Sequence, residues 1–194
     1  YSLSECDLSS ELKNYFDQVY NSLKTYENLT SSSINDGDRK TILDLLGTAA
    51  SSYRNSIYKN GFSGERSLIN KKDLLDFTEI AIKFLDHSIK ANKRADGLYH
   101  AYNLITLDDN SVKISYLPEM LEGQVAILSS KALNTEENLN VLISLRGSKL
   151  FRPDQYSYLL YPNKNLPGFL EKNNIPKEDV LKSKLLTDLL NDDN

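Results

Sequence analysis

The chain has 194 residues, of which 40% are hydrophobic and 26% charged, a size that accommodates one globular domain or two small ones. Its 23 basic and 27 acidic residues give a formal net charge of -4 spread evenly along the sequence, which leaves no basic arm or stripe of the kind that holds nucleic acid. No run approaches the ~18 apolar residues of a membrane-spanning helix, and one cysteine, Cys6, excludes a disulfide framework.

The sequence opens on Tyr1 and carries one methionine, Met120, so it is expected to be a segment of a longer chain. Leu3-Ser4-Glu5-Cys6 has the outline of a lipidation site, but Glu5 stands where a small residue is needed. Asn28-Leu29-Thr30 fits a glycosylation acceptor, a three-residue pattern too short to carry weight without a visible secretory signal.

Residues 1–93 read as three amphipathic helices. Leu12, Tyr15, Phe16, Val19, Tyr20, Leu23 and Tyr26 recur at steps of three and four, opposite Lys13, Asp17 and Lys24. A polar loop from Thr30 leads to Asp36 or Asp38 as the cap of a second helix, with Ile42, Leu45, Leu46, Ala49, Ala50, Tyr53 and Ile57 on one side and Gly61 as its stop. After the turn Gly61-Phe62-Ser63-Gly64, Asn70 is placed to cap a third helix bearing Leu74, Phe77, Ala81, Phe84 and Ser88. Ile82, Leu85 and Ile89 widen that apolar face enough to imply burial on more than one side.

Residues 94–176 differ in character. All five prolines lie after residue 117, and half of the 12 tyrosines lie between Tyr99 and Tyr161. Helices are expected over Pro118 to Ala132 and Thr135 to Arg146, the second opened by Asn134 with Glu137 in a reciprocal capping pattern and closed by Gly147. Long irregular segments, 96–117 and 148–176, surround them and form the loop-rich candidate site region. Residues 177–194 read as one terminal helix carrying Val180, Leu181, Leu185, Leu186, Leu189 and Leu190.

Two clusters carry the chemistry. Arg94-Ala95-Asp96-Gly97-Leu98-Tyr99-His100-Ala101-Tyr102-Asn103 combines aromatic faces that stack on sugar rings with groups that hydrogen-bond hydroxyls; its plainer reading is a helix exit with Gly97 as cap. Arg152, Asp154, Gln155, Tyr158 and Tyr161 form the second, read as a helix of about eight residues between Pro153 and Pro162, with an internal ion pair beside packing tyrosines as the alternative. Glu119 and Glu122 are neighbours at a helix start, where the helix dipole alone favours acids. Gly123, costing a helix roughly 1 kcal/mol, marks a close approach and makes Glu122 the better candidate acid or base. His87 and His100 are too few and too far apart for a metal signature, and no cofactor is implied.

The 94–103 stretch, Met120-Leu121-Glu122-Gly123-Gln124-Val125-Ala126 and Asp154-Gln155-Tyr156-Ser157-Tyr158-Leu159-Leu160-Tyr161-Pro162 resemble segments of large bacterial proteins of the Bacteroidetes type, similar to the cellobiose phosphorylase-like glycoside hydrolases with an (α/α) toroid. The resemblance covers about residues 90–176 and implies one sector of a toroid or its helical extension, with chemistry on glycosidic bonds.

The resulting expectation is a single all-α domain, residues 1–194, of antiparallel helix pairs with long irregular tyrosine-rich loops, cut from a longer chain. It contributes saccharide-binding residues to a glycosidase- or phosphorylase-like site and is not expected to act alone. Asp96, Tyr99, His100, Tyr102, Asn103, Gln124, Arg152, Asp154, Gln155, Tyr158 and Tyr161 contact substrate, Glu122 is the catalytic candidate, and the partners are a saccharide and neighbouring domains of the parent chain. The competing expectation is a non-enzymatic helical module that packs on a neighbouring domain or partner protein.

Overall fold

The stripe beginning at Leu12 folds as α1 (Ser10–Thr25), opened by Ser9, whose hydroxyl accepts the Leu12 N–H at 3.2 Å. This is a computed structural model that describes residues 4–192. Tyr1, the first residue of the Leu3-Ser4-Glu5-Cys6 motif, and positions 193–194 lie outside the described residues. A short 3₁₀ segment, Glu27–Ser31, follows α1 and runs into the start of the loop expected from Thr30. Helix α2 (Asp36–Asn60) is capped by Asn35 rather than by Asp36 or Asp38: the Asn35 side chain accepts the Asp38 N–H at 2.8 Å, and the two acids occupy the first turn. Asn70 precedes α3 (Lys71–Ala91) but makes no side-chain cap bond.

Aromatic contacts register these helices. Tyr15 stacks on Tyr53 at 5.1 Å between centroids, Phe16 meets Phe77 edge-on at 5.2 Å, and the Tyr20 hydroxyl donates to Asp76, which also pairs with Lys24 at 2.7 Å. Leu23, Ala49, Ile69 and Ile80 are buried. The widened face of α3 is not covered on more than one side, since Ile82 and Leu85 are 54% and 62% exposed.

The expectation of an all-α chain is overturned by three two-stranded antiparallel sheets, which make the fold mixed α/β. Strand β1 (Glu5–Ser9) pairs with β2 (Arg66–Asn70), Cys6 opposite Ile69, with α1 and α2 between them in sequence. Strands β3 (Asn103–Leu107) and β4 (Val112–Tyr116) form a hairpin inside the segment expected to be irregular. Strands β5 (Phe151–Arg152) and β6 (Ser157–Tyr158) replace the helix expected between Pro153 and Pro162, with Tyr156 at a φ of 52 in the connecting turn. All are five residues or shorter, and β3 is exposed throughout, so no alternation of buried and polar residues advertises it.

Helix α4 (Leu121–Ser129) starts three residues after Pro118, and α5 (Thr135–Gly147) opens on the expected box: Asn134 accepts the Glu137 N–H and Glu137 accepts the Asn134 N–H, both at 2.9 Å. Contacts among residues divide the chain after Pro162. The second unit holds α6 (Phe169–Lys172), in a stretch expected to be irregular, α7 (Lys177–Val180) and α8 (Lys184–Asp192). The terminal helix expected over 177–194 is therefore two helices, joined where Thr187 Oγ1 donates to the Val180 carbonyl at 3.2 Å.

Candidate functional site

Beyond α3 the chain doubles back on itself. Arg94 N–H donates to the Leu98 carbonyl at 2.8 Å and His100 N–H to the Asn92 carbonyl at 2.9 Å, leaving the Tyr99 peptide groups directed away from residues 92–94. Gly97 turns the chain at a φ of 82, where a Cβ would also run into the Ser144 hydroxyl. Asp96 shapes this turn, accepting the Leu98 N–H at 3.1 Å and pairing with Arg94 at 2.8 Å. The Arg94 hydrogen bond holds its carboxyl below the usual range. Arg94 also reaches Glu119 at 3.4 Å, which ties the turn to the approach to α4.

Helix α4 docks on this segment through two neighbouring residues. Gln124 is fully buried: its Oε1 accepts the Tyr99 N–H at 2.9 Å, and its Nε2 donates to the carbonyls of Tyr99 at 2.8 Å and Met120 at 2.9 Å. The amide thus acts as the missing neighbouring strand for one peptide unit. At Gly123 a Cβ would stand 3.0 Å from the Tyr99 oxygen and 3.1 Å from the Ala101 Cβ, so glycine permits the approach that the sequence predicted there. The Tyr99 side chain packs with Ile127 and Val141, while Leu98 packs with Leu145 and Leu150.

This docking leaves a cleft of about 310 Å³ between the last turn of α3, residues 99–102 and α4. Ile89, Ala101, Ala126 and Ile127 give it aliphatic walls, and Tyr102, His100 and Glu122 give it a polar edge. The Tyr102 hydroxyl donates to Glu122 Oε2 at 3.1 Å, and that carboxylate pushes the phenol's pKa up. His100 lies flat on Tyr116, with centroids 4.0 Å apart at 15°. Burial, with the charge of Arg94, pushes the imidazole's pKa down, against a hydrogen bond to the Leu117 backbone that raises it. Its Nδ1 is shielded from water and has no hydrogen-bond partner. The cleft therefore offers an acceptor, the Glu122 carboxylate at its rim.

Neither protein-family models nor curated protein sequences give a match to this chain.

Of the twelve residues expected at a site, the cleft gathers Tyr99, His100, Tyr102 and Glu122. Asn103 sits behind it, donating to Asn92 Oδ1 at 2.9 Å. Asp96 and Gln124 act on the backbone instead. Arg152 and Asp154 pair at 2.6 Å within the β5–β6 turn, beside Gln155, and Tyr158 packs on Phe151 at 5.2 Å. Arg146 covers Phe151 and Tyr156, its guanidinium 3.8 and 4.2 Å from their centroids, so this hairpin is fastened to α5 rather than turned into the cleft. Tyr161 is brought toward Tyr102 by the Leu121 N–H bond to the Leu160 carbonyl at 3.0 Å.

Sequence reading missed Ile89, Asn92, Ala126 and Ser130. The i, i+4 spacing of Glu122, Ala126 and Ser130, which lays all three on one side of α4, carried that signal. Among the described residues no cluster of three metal-ligating side chains occurs, and no helix is long and apolar enough to cross a membrane.

Proposed function

We propose that the chain is a small-molecule-binding module whose cleft takes one ring with an apolar face and hydroxyl donors, in carbohydrate terms a deoxy- or N-acetyl-sugar. The observation that carries the reading is the pairing of aliphatic walls with a rim carboxylate, Glu122, one oxygen of which has no protein donor. The volume lies at the lower end of the ~300–1,000 Å³ usual for ligand sites, which suits a single ring. A plain hexose would press hydroxyls against Ile89, Ala126 and Ile127, at about 1–3 kcal/mol for each one left unpaired. A methyl or acetyl group suits that wall.

Binding rather than autonomous hydrolysis fits the carboxylates. Glycoside hydrolysis by two carboxylates needs a pair across the sugar, whereas Glu122 is the one carboxylate lining the cleft and Glu119 is engaged by Arg94. Calorimetric titration with N-acetylglucosamine, a 6-deoxyhexose and glucose tests the proposal. The substituted sugars should bind at least tenfold more tightly than glucose, and Glu122→Gln should weaken them. Absence of saturable binding by a chain whose circular dichroism shows it folded would refute it.

A second reading, a module that packs on another protein surface, is favoured by the β3–β4 hairpin, where Leu104, Ile105 and Leu107 are all more than half exposed. Under it, Ile105→Lys reduces self-association or partner capture without altering sugar binding.

A further inference from the structure

Helix α2 packs against β4, and the two strands of the hairpin are covered unequally as a result. The side chains of Val112, Ile114 and Tyr116 share one face with those of Asn103, Ile105 and Leu107, because directly opposed residues of a ladder point the same way. That face is turned to the helices. Asn103, Ile114 and Tyr116 line a groove of about 390 Å³ together with Ile42, Leu43 and Phe84. Val112 is buried, whereas Ile105 and Leu107 on the same face are 61% and 62% exposed. The helix layer covers β4 and stops short of β3.

The backbone of β3 is open as well. Asp108 N–H donates to the Ser111 carbonyl at 2.9 Å, and this pair continues the register of the hairpin. Bonded and non-bonded pairs alternate in an antiparallel ladder, so Thr106 with Lys113 and Leu104 with Ser115 hold the two strands together. Asn103, Ile105 and Leu107 therefore direct their N–H and C=O groups away from β4. The opposite strand has the same phase: Val112, across from Leu107, accepts the Arg39 guanidinium of α2 at its outward carbonyl, at 2.7 Å. No hydrogen bond among the described residues takes up the outward groups of Ile105 and Leu107. The strand also lacks the usual protection of an edge, having no charge, no proline and no bulge.

We propose that β3 pairs antiparallel with β3 of a second copy of this chain, about a two-fold axis at Ile105, to make one four-stranded sheet. The inference rests on the second reading above, in which the hairpin meets another protein surface, and commits it to one partner. In this register Ile105 faces its own equivalent and Asn103 faces Leu107, so each outward N–H and C=O of the strand meets a complementary group. Like charges are not opposed. The strand itself is uncharged, and Asp108, paired with Lys113 at 3.3 Å, falls opposite Tyr102. A second copy also brings what a lone peptide strand would not, a second α2. Four strands spaced about 4.8 Å apart are about 19 Å wide, which two helices of ~10 Å cover side by side, so the paired layer extends over Ile105 and Leu107. A two-stranded hairpin is marginal by itself, and a four-stranded sheet with one covered face is not.

Sedimentation equilibrium of the whole chain should show a dimer whose share rises with protein concentration. Ile105→Lys, which sets two like charges against each other at the axis, should weaken the dimer at least tenfold while circular dichroism stays unchanged. Ile105→Glu should do the same, and an equimolar mixture of the two variants should recover the dimer. Oxidative cross-linking in a Cys6→Ser background reads the register. Ile105→Cys, about 5.5 Å from its equivalent between Cα atoms, should form a disulfide-linked dimer, and Thr106→Cys, about 8 Å from its own, should not. Should the charged variants fail to fold, the cysteine pair decides the matter. A chain that stays monomeric at every attainable concentration, a dimer that tolerates Ile105→Lys, no recovery in the mixture, or equal cross-linking at both positions overturns the proposal. A monomer that binds a different protein, and loses it on Ile105→Lys, refutes the second copy and leaves the second reading standing.

Discussion

Replacing Gln124 by leucine isolates the interaction on which the cleft depends. The side chain is fully buried and holds both peptide groups of Tyr99, whose N–H and carbonyl have no other protein hydrogen bond. Met120 loses a bond as well, but its carbonyl remains available to the first turn of α4. Two orphaned backbone groups at about 1–3 kcal/mol each give a gross loss of about 2–6 kcal/mol. Leucine, similar in size and easier to desolvate, recovers a part, so the expected net loss is about 2–4 kcal/mol, a large share of the ~5–15 kcal/mol that stabilises a typical domain. Urea unfolding followed by far-ultraviolet circular dichroism measures it. Hydrogen exchange at the Tyr99 amide, protected in the parent and fast in the variant, locates it. Val125→Ala, at the exposed adjacent position, should change stability by less than about 0.5 kcal/mol. If Gln124→Leu also fell within about 0.5 kcal/mol of the parent, the account of how α4 docks would be wrong.

Gly123→Ala should cost about 1–3 kcal/mol and narrow the cleft, because the added Cβ stands 3.0 Å from the Tyr99 oxygen; a thermal melt with sugar titration reads both effects. Asn134→Ala removes one half of the box at the start of α5 and should destabilise by about 1 kcal/mol, whereas Asn134→Ser should retain most of the stability, as denaturant midpoints will show. The pKa of His100 is lower in the fold than in the unfolded chain, so the neutral ring favours folding. Its contribution is complete above the ordinary histidine value of about 6.5 and is lost as pH falls through the folded value. His100→Gln should flatten the stability profile just below pH ~6.5, and an unchanged slope would remove burial of His100 from the description.

Several features were legible from residue order because they are local. The three-and-four spacing located α1, α2 and α3 to within a few residues, since a helix places neighbours on one face whatever lies beyond them. Asn134 and Glu137 announced their own box, and Gly123 announced a close approach before its partner was known. The candidate residues also included the cleft's polar edge, because the chemistry of His100, Tyr102 and Glu122 is a property of the side chains themselves.

What meets what was decided only in three dimensions. Pairing of β1 with β2 requires two helices to close a loop of more than fifty residues, and five-residue strands carry too few alternations to foretell it. Tyr99 and Tyr102 look alike in sequence, yet Gln124 fixes one peptide so that the first ring enters the core and the second stays 57% exposed at the rim. Asp96 and Asp154 each meet an arginine two residues before them and become parts of turns. The sequence determined the longer helices, the box at the start of α5 and the kinds of chemistry available, because those depend on near neighbours. The tertiary structure determined which of those groups share a cavity, because burial and docking depend on contacts that no local spacing encodes.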